Sequence, residues 1–274
     1  MPKKLIPMAI AYDFDGTLAP GNMQEYDFIP ALKLPSKHFW DKVTGLAKKH
    51  EADPILAYMY AMLEEARTAG LPVRKADFKN YGVNIELFPG VKEWFKRIND
   101  HAKTKGIRLE HFIISSGIRE MVEGTPIHKA FKKIYASSFV FDANGVACWP
   151  ALAINYTTKT QYLFRINKGS LDVHDNSVIN KFVPKEQRPI PFEHMIFIGD
   201  GETDIPCMRL VKDQGGHSIA VYNPARRGHK KHAVQLIKDG RATLAATADY
   251  QEGSQIELAV KAIIDKVEAS ARIA

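Results

Sequence analysis

Short apolar runs that stop abruptly at turn or polar residues alternate along this chain with longer stretches of helical period. Leu5 to Tyr12 runs into Asp13-Phe14-Asp15-Gly16-Thr17, Leu109 to Ile114 into Ser115-Ser116-Gly117, Met195 to Ile198 into Gly199-Asp200-Gly201, and Ser218 to Tyr222 into Asn223-Pro224. Each run has the length of a strand buried on both faces. Between them Val91, Trp94, Phe95, Ile98 and Ala102 recur at helical spacing, behind Pro89-Gly90 and before Gly106. Ile256, Val260, Ile263, Ile264 and Val267 repeat the stripe after Ser254, a residue suited to an N-cap. Strands alternating with helices predict an α/β fold: a doubly wound, Rossmann-like parallel sheet with right-handed crossovers.

One interval breaks the rhythm. Roughly 70 residues separate the first strand's turn from Pro89-Gly90, too many for an ordinary connection. Phe39, Trp40, Val43 and Leu46-Ala47 predict one amphipathic helix; Ile55, Tyr58-Met59, Met62-Leu63 and Ala66 predict another. We therefore expect residues 21–87 to form an α-helical cap inserted into a core of residues 1–20 and 88–274. A stretch from about Ser138 to Tyr162 carries Asn144-Gly145 between β-prone runs and predicts a β-hairpin.

Composition narrows the class without naming a function. The 274 residues are 45% hydrophobic and 25% charged, which excludes disordered and collagenous chains. Cys148 and Cys207 cannot build a disulfide framework, which fits a cytoplasmic protein. Lys3-Lys4 is followed by too short an apolar stretch for a signal peptide, and no run is long enough for a membrane span. With 38 Lys+Arg against 31 Asp+Glu the net charge is +7, compatible with nucleic acid, a membrane surface or a small anionic substrate. The most basic run, Arg226-Arg227-Gly228-His229-Lys230-Lys231-His232, lacks the interleaved aromatics of a stacking groove and reads as a solvated loop.

The candidate chemistry lies at the strand ends. In an open parallel sheet ligands bind beyond the carboxyl ends of the strands. Asp13 and Asp15, two residues apart, share one side of the first strand's end. Asp200 and Asp204 follow the third strand, and if the two strands are neighbours their carboxylates meet. Four carboxylates so close need a compensating cation or a shared proton, and Mg²⁺ suits such oxygen donors beside a phosphate. Gly199-Asp200-Gly201 is a poor dinucleotide fingerprint, because its sixth position is Asp204 and Asp200 repels a pyrophosphate.

Asp13-Phe14-Asp15-Gly16-Thr17, Phe112-Ile113-Ile114-Ser115, a lysine before a helix, and Gly199-Asp200-Gly201-Glu202-Thr203-Asp204 occur in that order. In these four motifs the chain resembles the Mg²⁺-dependent phosphatases of the haloacid dehalogenase (HAD) superfamily. The resemblance implies a phosphomonoester hydrolase acting on a small phosphorylated metabolite through an aspartyl-phosphate. It makes Asp13 the nucleophile and Asp15 the general acid and base. Ser115, Ser116 and Gly117 would bind the phosphate, and Asp13, Asp15 (through its carbonyl), Asp200 and Asp204 would hold Mg²⁺. For the lysine, Lys168 in Asn167-Lys168-Gly169 is favoured over Lys159, because it precedes a helix candidate and resembles a Lys-Gly of phosphoserine phosphatases. A cap in this position is likewise that of phosphoserine phosphatases and related enzymes, yet Ala19-Pro20-Gly21-Asn22 departs from their acidic, Asn-rich continuation, which argues against phosphoserine. Arg67, Arg74 and Arg119 are further candidates for substrate contact. A phosphomutase or phosphotransferase on the same residues and a nucleic-acid end phosphatase are the alternatives; the lack of aromatics disfavours nucleic acid.

Overall fold

The computed structural model describes residues 5–273; Lys3 and Lys4 lie outside the described residues. Among these described residues seven strands form one sheet: β1 (Ile6–Tyr12), β2 (Ile107–Ile118), β3 (Lys133–Phe141), β4 (Ala147–Leu152), β5 (Met195–Gly199), β6 (His217–Tyr222) and β7 (Leu244–Thr247). Their order is β4-β3-β2-β1-β5-β6-β7, all parallel except β4, which pairs antiparallel with β3. The expected hairpin is this β3–β4 pair, and it ends at Leu152. β1 lies at the centre with Tyr12 level with Ile113 of β2 and Ile198 of β5. The three acidic or serine-bearing strand ends are therefore side by side.

Among the described residues ten α-helices accompany the sheet: α1 (Phe28–Ala31), α2 (Ser36–His50), α3 (Pro54–Thr68), α4 (Lys75–Val83), α5 (Val91–Thr104), α6 (Arg119–Gly124), α7 (Lys159–Lys168), α8 (Ile205–Asp213), α9 (His229–Lys238) and α10 (Gln255–Ile273). Alternation along β1 divides the core in two. Met8, Ile10 and Tyr12 pack with Trp94 and Ile98 of α5 and Val260 of α10. Ala9 and Ala11 face the layer of Tyr162, Met208 and Leu236 from α7, α8 and α9. Helices thus cover both faces, as a doubly wound sheet requires.

The helices α1–α4 fill the interval between β1 and α5. Their buried side chains, among them Phe39, Met59, Met62 and Phe78, belong to the same cluster as Tyr12 and Phe14. Phe78 stacks on Phe139 of β3 at 5.3 Å. α4 and α6 cross with their backbones in contact: a Cβ on Gly82 would lie 1.9 Å from the Met121 carbonyl oxygen, and one on Gly124 1.9 Å from that of Lys79. Only two glycines allow this approach. Among the described residues no helix is long and apolar enough to cross a membrane.

Candidate active site

The chain turns sharply as it leaves β1. The Asp13 amide donates to the Ile198 carbonyl at 2.9 Å, and the Phe14 carbonyl accepts from Leu18 and Ala19 at 2.9 and 3.1 Å. Gly16, with φ of 75°, closes the turn, and a Cβ there would lie 2.0 Å from Asp200 Oδ2. Glycine is required here twice over, by its left-handed backbone and by the carboxylate pressed against it. Asp15 Oδ1 accepts from the Met23 amide at 2.9 Å, which fixes the second carboxylate over the first.

At the end of β2 the register breaks between Ser115 and Ile118. Ser115 Oγ accepts from the Gly117 amide at 3.1 Å, while Ser116 Oγ is buried with no partner in the protein. Tyr58 of α3 donates to the Ser116 carbonyl, as does Ser137 Oγ at 3.1 Å. A Cβ on Gly117 would meet Met23 Cε at 2.1 Å and Asp15 Oδ2 at 3.2 Å. Glycine here lets Met23 and Asp15 pack directly against the loop.

The site lysine is Lys159, not Lys168. Lys159 opens α7 with its side chain fully buried, its Nζ 2.7 Å from Asp204 Oδ1 and 3.1 Å from Asp13 Oδ1. Lys168 stands at the far end of the same helix, about 14 Å along its axis at 1.5 Å per residue. Its ammonium donates to the carbonyls of Ile179 and Lys181, both at 2.7 Å. The expectation failed because it started the helix after Lys168. Tyr162, Leu163 and Ile166, all buried, are the stripe that marks a helix beginning at Lys159.

Asp13, Asp15, Ser115, Ser116, Gly117, Lys159 and Asp200 line one cavity of about 260 Å³. Asp204 lies behind it, fully buried. One Asp204 oxygen accepts from Lys159, and the other from the Asp200 and Gly201 amides at 3.1 and 3.4 Å. Burial raises the Asp15 carboxyl well above the ordinary range, and the charge of Asp13 raises it further. Burial, then Asp204 and Asp13, push Asp200 up to about 8. Burial opposes the charge on Lys159, but Asp13 and Asp204 outweigh it and raise its pKa.

Four carboxylates share this space with one ammonium. Carboxylate oxygens of Asp13, Asp200 and Asp204 can be chosen within 4.8 Å of one another. Asp13 Oδ1 is buried 3.1 Å from the Lys159 ammonium, its one cationic neighbour. The excess of negative charge over that single ammonium fits a hard divalent cation. Both oxygens of Asp204 are already engaged, so Asp13 and Asp200 are the donors left facing the cavity.

The remaining candidates separate cleanly. Arg119 pairs with Glu120 at 3.1 Å, and Arg67 and Arg74 line a different depression beside Cys148. Cys207 is buried among the apolar side chains of α7 and α8. In the basic run, expected to be solvated, Arg226 and His229 line the cavity together with Asn223. Their signal in the sequence was position: the run follows β6, the next strand after β5, at the same sheet edge. Asp53, at the start of α3, accepts from Asn155 Nδ2 at 2.7 Å, joining the inserted helices to the lead-in of α7.

A doubly wound sheet with carboxylates at the ends of β1 and β5, a serine loop at β2 and a buried lysine on α7 defines one class of hydrolase. The chain belongs to the haloacid dehalogenase-like hydrolase family, whose profile matches residues 10–209. It is 29% identical over 279 residues to an uncharacterized protein of Borreliella burgdorferi, across 91% of this chain and 93% of that one. It is 23% identical over 217 residues to pyridoxal phosphate phosphatase PHOSPHO2 of Bos taurus, across 74% of this chain and 78% of that one. Among solved structures, a HAD family hydrolase from Salmonella enterica serovar Typhi shares the fold with a TM-score of 0.59 and 17% identity, over 97% of this chain and 74% of that one. A phosphoserine phosphatase in a phospho-aspartyl intermediate analogue state matches with a TM-score of 0.54 and 14% identity, over 94% and 99%.

Proposed function

We propose that this protein is a Mg²⁺-dependent phosphomonoester hydrolase acting on a small phosphorylated metabolite through an aspartyl-phosphate. The observation that carries the reading is the pair at the mouth of β1. Asp13 is buried with its Oδ1 against the Lys159 ammonium and lines the cavity, and Asp15 beside it is held in a setting that favours its neutral form.

Asp13 attacks the phosphorus as the bond to the leaving oxygen breaks, and Asp15 gives that oxygen its proton. Asp15 then takes a proton from the water that attacks the aspartyl-phosphate, releasing inorganic phosphate and restoring Asp13. Ser115, the free hydroxyl of Ser116 and the amides around Gly117 hold the phosphoryl oxygens. Lys159 offsets the charge of Asp13 and Asp204 and keeps Asp13 aimed at the cavity. Asp13 and Asp200, with the Asp15 carbonyl and Asp204, would hold Mg²⁺, which would supply positive charge to the phosphoryl oxygens. The inserted helices form the cap that keeps water out during the first transfer. A cavity of about 260 Å³ suits a small molecule better than a nucleic-acid end.

The test is release of phosphate from an aryl phosphate, with Mg²⁺ and with chelator. Activity should require the metal and fall at least about 1,000-fold in Asp13→Asn, as expected for loss of a covalent nucleophile. Undiminished turnover by Asp13→Asn would falsify the assignment. Transfer to an added alcohol faster than to water would mark a phosphotransferase instead.

A further inference from the structure

The cations that line the cavity are Lys159 and Arg226, and they stand in different states. Lys159 is committed to Asp13 and Asp204. Arg226, in the loop between β6 and α9, takes part in no ion pair among the described residues, and its guanidinium donates no hydrogen bond. It is exposed at the rim, and its Nη2 lies 3.4 Å from the point that a Cβ on Gly21 would occupy. That puts the guanidinium against the segment that follows Asp15. Glu25, the carboxylate on the other side of Gly21, is held by Asn22 at 2.9 Å and Trp40 at 2.7 Å rather than by Arg226.

We propose that Arg226 is a specificity residue, and that the substrates are phosphomonoesters carrying a second anionic group, a carboxylate or another phosphate, at the end of a short tail. The inference rests on the phosphatase reading and deepens it. The phosphoryl group belongs at the floor of the cavity, beside Asp13 and the Ser115–Gly117 loop. The tail then points to the rim, where the unpaired guanidinium offers a planar fork of N–H donors suited to two oxygens. His229, half-buried one turn further on, lines the same side. At the floor Lys159 is already matched by Asp13 and Asp204, and the other charged side chains are aspartates, so a second anion is better placed at the rim. The small volume of the cavity limits the tail to a few atoms.

The experiment compares three four-carbon substrates with Mg²⁺: butyl phosphate, 3-carboxypropyl phosphate and butane-1,4-diol bisphosphate. The wild type should prefer one or both charged tails in kcat/KM. Arg226→Gln should raise KM for the preferred substrate about tenfold more than for butyl phosphate, with Arg226→Lys between them, the size expected of a charge-assisted hydrogen bond. The carboxylate and bisphosphate arms show which anion is bound. Binding of 4-phosphonobutanoate and butylphosphonate to the Asp13→Asn protein, by calorimetry, reads the same preference without turnover. Equal handling of charged and neutral tails by the wild type overturns the proposal, as does an equal loss on all three substrates in Arg226→Gln, which would mean a merely structural arginine. No hydrolysis of any substrate, with the phosphonate preference intact and sensitive to Arg226→Gln, would refute the phosphatase reading and keep the anion subsite.

Discussion

Single residues decide the electrostatics of this molecule. Lys159 holds the only ammonium among four carboxylates, and its removal leaves Asp13 and Asp204 repelling each other at close range. Lys159→Ala should lower phosphate release by more than about 100-fold, because the charge it offsets lies in a water-poor site. Lys168→Ala, which loses two bonds to loop carbonyls, should stay within about threefold of wild type in the same assay. Beneath the site a chain of buried donors runs from Trp94 Nε1 to Tyr12, from the Tyr12 hydroxyl to His111 Nδ1, and from His111 Nε2 to Asn99, at 2.9, 2.9 and 3.1 Å. With Tyr12 accepting from Trp94 and donating to Nδ1, and Nε2–H donating to Asn99, the arrangement suits a neutral imidazole, and burial lowers its pKa to about 3. The unfolded chain takes up that proton near pH 6.5, well before the folded one does. Stability therefore falls as pH drops from 6.5 towards 3, by about 1.4 kcal/mol per pH unit from this group. Chemical denaturation at pH 7 and 5 should show wild type losing about 2 kcal/mol more over that interval than His111→Gln.

Elements differ in how openly the sequence displays them. The β1, β5 and β6 runs are apolar on both faces and end at residues that cannot continue a strand, and their predicted limits agree with the structure to within a residue. β2 runs on to Ile118 because a bulge, which leaves no mark on hydropathy, carries it past Ser115. β7, four residues at the sheet edge and only partly buried, has too little pattern to find. α4 escaped for a related reason: Phe78 and Gly82 are its buried residues, and its fixation comes from a glycine crossing rather than an apolar stripe. The aspartates were legible because each pair follows an apolar strand directly; that β1 and β5 are neighbours, which brings the pairs together, comes from the structure. Lys159 and Arg226 were not, since each depends on where a helix or loop begins in space. The crossing itself is testable. Gly82→Ala places a methyl on the Met121 carbonyl, and urea denaturation should show a loss of about 2–3 kcal/mol, whereas Gly45→Ala, with open space around it, should cost nothing.

At the scale of the whole molecule, the inserted helices share one apolar cluster with one face of the sheet, so the insertion has no core of its own. The net charge of +7, ambiguous in the sequence, acquires a local meaning. The site is acidic, and Arg226 with the basic run beside it stands at its entrance, where an anion arriving from solvent first meets positive charge. The attachment of the insertion to the core is uneven. On one side the α4–α6 crossing leaves no room to shift, because carbonyls and glycines are already in contact. On the side over the cavity Tyr58 donates to the Ser116 carbonyl and Asn155 to Asp53, while Met59 and Met62 of α3 lie in the apolar cluster shared with the sheet. One of these hydrogen bonds ends on the Ser115–Gly117 loop that lines the cavity, the other on the lead-in to Lys159. The position of α3 is thereby written into the shape of the cavity, and a change of residue on that helix reaches the carboxylates without touching them.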